Sequence, residues 1–465
     1  MSENQKHVHV IGVCGVAMAP VAKMFIDLGW RVSGSDKGFY PPISDYLKAI
    51  PEIEFYPGFH PEKVGEPDLV VVGNFIGLSN SEFKYIREKG FEYKSYPEVL
   101  GEFVVKKNSV VVVGTYGKST ISALLTWILE KASFDPSYMS GGILTNFSDG
   151  VRSTNSNWSV LEGDEYPADR QHNRSKFFYY HPRYLLLTSA EWDHMDIFET
   201  EQKYIDNFKD LVRNLPVDGL VVVWNEGVHI DEILKEVSCR IIRYSGTSKD
   251  DYFISSKSRE VNLTNLVIEN NKNNFKEEFK TSMIGDHMME NICGAVAMAN
   301  ELGIPTSKIK DAVVTFGGGV RRRLEFRGKT QKGAYVIDDL AHSPAKARAG
   351  IKALRGWYEN SKIYVVYEPN VGNRTKESLS SYEGAFDYVS EVIVPRLSVV
   401  KAQVGQKRLN GSELVGYIAK NGVKATYIDN DDKLIEILKQ KINKDDIIVF
   451  MGSHGFRGMI ENLLE

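Results

Sequence analysis

The chain has only three cysteines in 465 residues, Cys14, Cys239 and Cys293. Their spacing holds no paired set for zinc, and three thiols are too few for a disulfide framework, so a reducing cytoplasm is the expected location. Charge of one sign is also lacking: 57 Lys and Arg stand against 61 Asp and Glu, with no long basic run. A formal net charge of −4 leaves no footprint for nucleic acid, and no such partner is expected. Long apolar runs are absent as well. The opening MSENQKHVHVIGV has no signal-type apolar stretch, and no window reaches the ~18 apolar residues of a membrane span, so a soluble protein without a membrane partner is expected. No sequence repeat stands out.

What is present suits a globular enzyme, with 42% hydrophobic and 25% charged residues. At ~150 residues per domain, the length implies about three. Apolar strands alternate with amphipathic helices, as in HVHVIGV then MAPVAKMFIDLG, and IYVVYEP then later VSEVIVP. That order predicts α/β layers with parallel strands. The polar run ENNKNNFKEEFKT, residues 269–281, reads as a surface turn between two strands.

The stretch VVVVGTYGKST, Val110 to Thr120, runs a β-branched strand into a glycine-bracketed turn, and ISALLTWILEKA then continues at helical spacing. A glycine turn between a strand and a helix N-terminus aims backbone N–H groups and the positive end of the helix dipole at one point, which suits phosphate. The usual loop is G-x-x-x-x-G-K-[ST], and here Val112 stands at the first glycine's position, so the loop is shortened. Its mechanism survives: Gly114 and Gly117 admit the backbone to phosphate, Lys118 reaches the β and γ phosphates, and the Ser119 hydroxyl can hold Mg²⁺. A lysine that faces phosphate contributes charge rather than packing, so its removal is expected to leave the fold intact.

Three blocks each carry polar residues at strand ends. The first, HVHVIGVCGVAMAPVAKMF to GWRVSGSD, is strand, turn at Gly12 and Gly15, helix and second strand ending at Ser35 and Asp36. Its G-x-x-G spacing is not the dinucleotide G-x-G-x-x-G, but it fits a diphosphate on a helix N-terminus, with Ser35 and Asp36 near a ribose or base. The second block holds two acidic clusters, Glu162, Asp164 and Glu165, then Glu191, Asp193, His194 and Asp196, and ends near Gly317-Gly318-Gly319. At strand ends these supply oxygen and imidazole ligands for Mg²⁺. The third block opens with Arg321, Arg322 and Arg323, which can answer phosphate charge, and places Asp339 and His342 just after a strand.

Taken in order, these motifs resemble the Mur ligase family: GTYGKST its ATP loop, DHMD its metal-binding histidine segment, GDHMMENICGAVA its adenine-side helix, RRRLE its arginine segment and DDLAHSP its C-terminal signature. The resemblance covers nearly the whole chain. It implies an α/β protein of three domains: residues 1–107, Rossmann-like, for the UDP-sugar; 108–320, a central P-loop ATPase-like domain with a mostly parallel sheet, for ATP; and 321–465, Rossmann-like, for the amine. It also implies an ATP-dependent ligase in which the carboxylate of UDP-N-acetylmuramate attacks the γ-phosphate and an amine displaces phosphate from the resulting acyl phosphate.

By the same resemblance, Lys118, Glu162 and His194 are catalytic. Gly114, Thr115, Tyr116, Gly117, Lys118, Ser119 and Thr120 cradle ATP, with Asn291 on the adenine, Arg323 on the phosphates and Asp339 on the ribose or phosphates. Ser119, Glu162 and His194 would hold Mg²⁺. Gly12, Gly15, Ser35 and Asp36 would serve UDP-N-acetylmuramate, and His342 and Arg374 the amine. EGDEYPADRQHNRSKFFYYHPR is similar to the branch that adds the recycled tripeptide L-alanyl-γ-D-glutamyl-meso-diaminopimelate. Arg170, Lys176, Arg183 and the Arg174 to Phe177 stretch are expected to pair with its extra carboxylates.

Tyr116, Met288, Ser343 and EPNVGNRT depart from the family pattern. Ligation to free L-alanine is the alternative amine chemistry. A nucleotide-binding regulatory protein would keep the loop without a UDP-sugar site, and a nicotinamide oxidoreductase would leave the loop and both acidic clusters unexplained.

Overall fold

The computed structural model describes residues 5–40, 43–142, 144–168, 174–193, 197–247, 249–260, 263–316, 321–370, 373–376, 378–398, 408–420 and 422–465. Two compact units divide the chain, Met1–Thr281 with Glu290–Gly319, and Ser282–Met289 with Val320–Glu465. Among the described residues no helix is long and apolar enough to cross a membrane. The three cysteines are free thiols.

The first unit carries two sheets. Strands β1 (His7–Ile11), β2 (Arg31–Asp36), β3 (Ile53–Pro57), β4 (Leu69–Val72) and β5 (Tyr93–Ser95) pair in parallel in the order β3-β2-β1-β4-β5. The chain winds one way from β1 to β3 and returns to β1's other side with β4. The turn after β1, which holds Gly12 and Gly15, therefore lies at the switch point where open α/β sheets bind ligands.

The second sheet comprises β6 (Asn108–Val113), β7 (Ser137–Met139), β8 (Val151–Arg152), β9 (Trp158–Glu162), β10 (Tyr184–Leu187), β11 (Leu220–Trp224), β12 (Arg240–Ser245), β13 (Tyr252–Glu260), β14 (Leu263–Asn270) and β15 (Lys276–Thr281). Its order is β15-β14-β13-β12-β11-β10-β6-β9-β7-β8. Pairing from β7 through β9, β6 and β10 to β13 is parallel, and the β13-β14-β15 edge is antiparallel. Val110 to Val113 are wholly buried, as a strand covered on both faces requires. Each such side chain contributes ~1.5–3 kcal/mol through burial. The polar run 269–281 forms a turn of residues 271–275, with strand on either side of it.

Register fixes the site. Val113 pairs with Leu187 and Val112 with Glu162, so the carboxyl ends of β6, β9 and β10 meet at one edge. Because β9 and β10 flank β6 on opposite sides, the loop after β6 also lies at a switch point.

The second unit holds β16 (Glu325–Lys329), β17 (Tyr335–Asp339), β18 (Ile363–Glu368), β19 (Glu391–Pro395), β20 (Ala425–Ile428) and β21 (Ile447–Gly452), ordered β16-β17-β21-β18-β19-β20. Only β16 runs antiparallel to its neighbour. Apolar clusters cover both faces, one around Ile337, Ile351 and Val365, the other around Val336, Leu438 and Phe450.

Candidate active site

The helix Lys118–Lys131 starts on Gly117, whose φ of 76° places it in the left-handed region, and no side chain caps it. Its first-turn N–H groups are therefore left for a ligand. A Cβ on Gly117 would stand 2.4 Å from Asn291 Oδ1, and one on Gly114 (φ 115°) 2.4 Å from Thr188 Oγ1, so both positions exclude side chains. The loop is tied down across the sheet. Thr115 N–H donates to Ser189 O at 2.8 Å, its hydroxyl to Glu191 O at 2.8 Å, and Thr188 Oγ1 to Tyr116 O at 2.6 Å. Tyr116 OH donates to Glu191 Oε2 at 2.9 Å, and burial together with that carboxylate pushes the phenol up to about 12. Thr120 is buried.

Carboxylates surround this loop. Lys118 Nζ donates to both oxygens of Glu165 at 2.9 Å and to Gly114 O at 2.7 Å. The Glu165 side chain is fully buried, and the Lys118 side chain is 16% exposed. Burial works against the ammonium, but Glu165 outweighs it and holds the Lys118 pKa above its ordinary value. Lys118 thus closes a buried ion pair as well as facing the loop, and its removal would not be structurally silent. Ser119 Oγ donates to Glu162 Oε1 at 2.7 Å, and Glu162 Oε2 accepts the Gly141 N–H at 2.7 Å. Lys176 pairs with Asp164 at 2.6 Å; burial opposes the Asp164 carboxylate, yet Lys176 keeps its pKa below the usual range.

Glu162 and Ser119 are hard oxygen donors at the loop, which suits Mg²⁺, an ion that keeps waters and substrate phosphates as its other ligands. Among the described residues no three His, Cys, Asp or Glu side chains form a metal centre by themselves. His194 and Asp196 lie outside the described residues, as do Arg170 and the Gly317–Gly319 triplet.

Arg183 is placed differently from expectation. Its N–H donates to Ser109 O, at the start of β6, so it stands roughly 16 Å along the strands from Gly114. There it pairs with Asp218 at 2.5 Å, while Arg174 stacks over Phe178 at 4.6 Å. Both line a cleft with Lys107 and His181 at the far edge of the sheet. Arg183 thus stands at the sheet edge opposite the loop where an acyl phosphate would form. The reason is that a short parallel strand separates residues 183 and 188 to opposite edges.

At the other switch point, Gly12 (φ 88°) and Val13 donate N–H groups to Ser35 O at 2.8 and 3.1 Å, and Gly15 N–H donates to Gly12 O at 3.1 Å. Asp36 Oδ2 accepts the Cys14 N–H at 2.9 Å, which fixes the turn rather than leaving that oxygen free for a ribose. Ser35 is buried and donates its hydroxyl to Glu82. Glu82, wholly buried, also accepts from Tyr56 OH at 2.9 Å and His60 N–H at 2.7 Å, and faces His9 Nε2 at 3.4 Å.

Within the second unit, Asp339 accepts N–H groups from Leu324 at 2.9 Å and Ala341 at 2.7 Å. Burial pushes its carboxyl up to about 6, with Arg323 pulling the other way. His342 Nδ1 bonds Leu340 O at 2.8 Å, and burial lowers its pKa. Arg374 is 5% exposed and donates to Ser398 O at 3.0 Å, while its buried Nε has no partner among the described residues. Arg322 is consumed internally, by Asp338 at 3.1 Å and Gly452 O at 2.7 Å, so it is not available to phosphate.

Three family descriptions match successive parts of the chain: Mur ligase family, catalytic domain, over residues 7–108; Mur ligase middle domain over 112–299; and Mur ligase, glutamate ligase domain over 322–454. The UDP-N-acetylmuramate–L-alanyl-γ-D-glutamyl-meso-2,6-diaminoheptandioate ligase of Escherichia coli is 30% identical over 466 residues, covering 98% of this chain and 97% of its own. The chain belongs to the Mur ligase family. Mur ligases are ATP-dependent enzymes that close an amide bond, with a three-domain α/β fold of mostly parallel sheets. The UDP-N-acetylmuramate–L-alanine ligase of Desulfitobacterium hafniense is 26% identical, covering 96% of this chain and 97% of its own. Among solved structures, the murein peptide ligase of Psychrobacter arcticus is 25% identical with a TM-score of 0.67, covering 99% of this chain and 98% of its own. The alanine ligase of Thermotoga maritima shares the fold at a TM-score of 0.79 and 21% identity over the same shares.

For this Mur ligase, sequence reading singled out the loop and the acids but missed their partnerships. Thr188 and Ser189, which anchor the loop, carry a faint signal as the polar end of YLLLTS. Glu82 carries none, since a lone glutamate at a helix start reads as a surface residue.

Proposed function

We propose that this Mur ligase joins the carboxylate of UDP-N-acetylmuramate to the amine of L-alanyl-γ-D-glutamyl-meso-diaminopimelate in peptidoglycan recycling, at the expense of ATP. The observation that carries the reading is the near full-length likeness to the Escherichia coli enzyme named for that tripeptide. The expected compartment is the cytoplasm, where ATP is supplied. The proposed division of labour is residues 1–107 for the UDP-sugar, 108–320 for ATP and 321–465 for the amine.

The muramyl carboxylate oxygen attacks the γ-phosphorus, the bond to the β-phosphate oxygen breaks and ADP leaves. The amine then attacks the acyl carbon and inorganic phosphate departs, which leaves the amide. Gly114, Thr115, Tyr116, Gly117 and Thr120 wrap the phosphates, with the helix N-terminus after Gly117 stabilising the charge that develops there. Lys118 turns an N–H to the transferring oxygens. Ser119, Glu162 and His194 would hold Mg²⁺, which supplies further charge neutralisation when bound. Asn291, beside Gly117, bounds the nucleotide on the adenine side. Arg323 and Asp339 serve the nucleotide, and His342 and Arg374 orient the amine. Gly12, Gly15, Ser35 and Asp36 shape the diphosphate turn for UDP-N-acetylmuramate.

Free L-alanine is the second reading, supported by the 29% identity to the UDP-N-acetylmuramate–L-alanine ligase of Acetivibrio thermocellus over 454 residues. Phosphate release with UDP-N-acetylmuramate and each amine decides between them by the ratio of kcat/KM. A preference for L-alanine refutes the tripeptide reading. Turnover with neither amine refutes both.

A further inference from the structure

An ammonium group has three N–H donors, and those of Lys118 are all engaged, one by Gly114 O and two by the Glu165 carboxylate. Glu165 cannot release its partner cheaply. It is fully buried, with the like charge of Asp164 nearby, and an uncompensated carboxylate there would carry the full cost of its desolvation. Gly114 O, by contrast, is a neutral acceptor within the phosphate loop and can exchange its donor for a phosphate oxygen. Among the described residues that bond the loop or its lysine's partners, the carboxylates of Glu162, Asp164, Glu165 and Glu191 outnumber the ammonium groups of Lys118 and Lys176.

We infer that Glu165 is the resident counter-ion of the phosphate-loop lysine: it positions Lys118 and cancels its charge, so the loop accepts a nucleoside triphosphate only when a divalent cation arrives with it. This rests on the reading of the loop as the ATP site. Metal-free triphosphate, with about four negative charges, meets a lysine already neutralised and an excess of carboxylates. A metal-bound nucleotide brings its own compensation. Lys118 then trades Gly114 O for phosphate and keeps Glu165, which holds the ammonium on two hydrogen bonds while the third N–H turns to the substrate. Glu165 is thus a positioning residue, acting through Lys118 without touching the nucleotide.

Calorimetric titration of ATP and ADP into wild type and Glu165→Gln, in EDTA and in excess Mg²⁺, tests this. The neutral isostere frees the lysine's charge, so metal-free nucleotide should bind about tenfold or more tighter than to wild type, the scale of one unit charge near phosphate in a partly screened site. Metal dependence of binding should narrow while kcat falls, because Lys118 has lost its tether. A merely structural glutamate predicts the opposite sign, looser binding with and without metal. Metal-free affinity that is unchanged or weaker in folded Glu165→Gln overturns the inference. Should that variant not fold, Glu165→Asp, which withdraws the carboxylate by one methylene, must shift metal-free affinity the same way by a smaller factor, and no gain overturns the inference. If wild type binds nucleotide with Mg²⁺ but the variants show no gain without it, the counter-ion role fails and the ATP site stands. If wild type binds no nucleotide under either condition, both fail.

Discussion

Replacing Lys118 by alanine tests two roles of one side chain at once. As a phosphate ligand it stabilises charge in the transition state, and losing one such donor costs ~2.7–4 kcal/mol, or about 10²–10³ in rate. As the partner of Glu165 it compensates a carboxylate with no exposure, 2.9 Å from the ammonium. Removing one member of a buried pair costs ~3–5 kcal/mol, and with the Lys118 side chain only 16% exposed the surface discount does not apply. At about 2–4 °C per kcal/mol for a unit of this size, Lys118→Ala should lower the melting transition by roughly 6–20 °C. Adding Glu165→Gln removes the stranded charge, so the double variant should recover most of that loss without recovering ligation. The pH dependence has a definite sign. In Lys118→Ala, burial raises the Glu165 pKa unopposed, so the folded state holds a proton that the unfolded state, near ~4.3, releases. The deficit is therefore small below that value and grows as pH rises through the raised one. Differential scanning calorimetry of wild type, single and double variants between pH 4 and 8, with a phosphate-release assay at pH 7, measures all of this. A single variant that melts with wild type at pH 7, or a double variant no more stable than the single, refutes the buried-pair argument.

Glu162→Ala removes the acceptor of Ser119 Oγ and of the Gly141 N–H, and the Mg²⁺ concentration for half-maximal turnover should rise about tenfold or more; an unchanged titration returns Glu162 to a loop-bracing role. Gly15→Val adds a side chain whose Cβ stands 3.2 Å from Gly12 O and from Met18 Cγ, so KM for UDP-N-acetylmuramate should rise while Mg²⁺-ATP affinity holds, and the reverse pattern means that the two sites have been exchanged. Asp339, raised to about 6 by burial, contributes stability fully present below its unfolded pKa of ~3.9 and lost as pH rises through 6, a difference of ~3 kcal/mol. Its carboxyl ¹³C resonance should titrate near 6, and a midpoint at or below ~4 removes that contribution.

Much of this enzyme is written in local pattern. The buried valine strand, the glycine turn, the lysine and the amphipathic helix are contiguous between Val110 and Lys131, so the periods of strand and helix and the turn chemistry of glycine reveal them without knowledge of the fold. The same holds for the turn after β1 and for the hairpin at 269–281. What tertiary structure alone decided is which charges meet. Lys118 and Glu165 are 47 residues apart, Ser119 and Glu162 are 43, and His9 and Glu82 are 73. These pairs depend on the parallel register that aligns the ends of β6, β9 and β10 and on the helix that returns Glu82 beneath β1 and β2, neither of which leaves a periodic trace. The same register carries Arg183 away from the loop although it is only five residues before Thr188, a loop anchor. A strand's length converts a small step in sequence into the full width of a sheet, so residue type and proximity in the chain indicate candidate chemistry, while strand pairing selects the groups that can perform it.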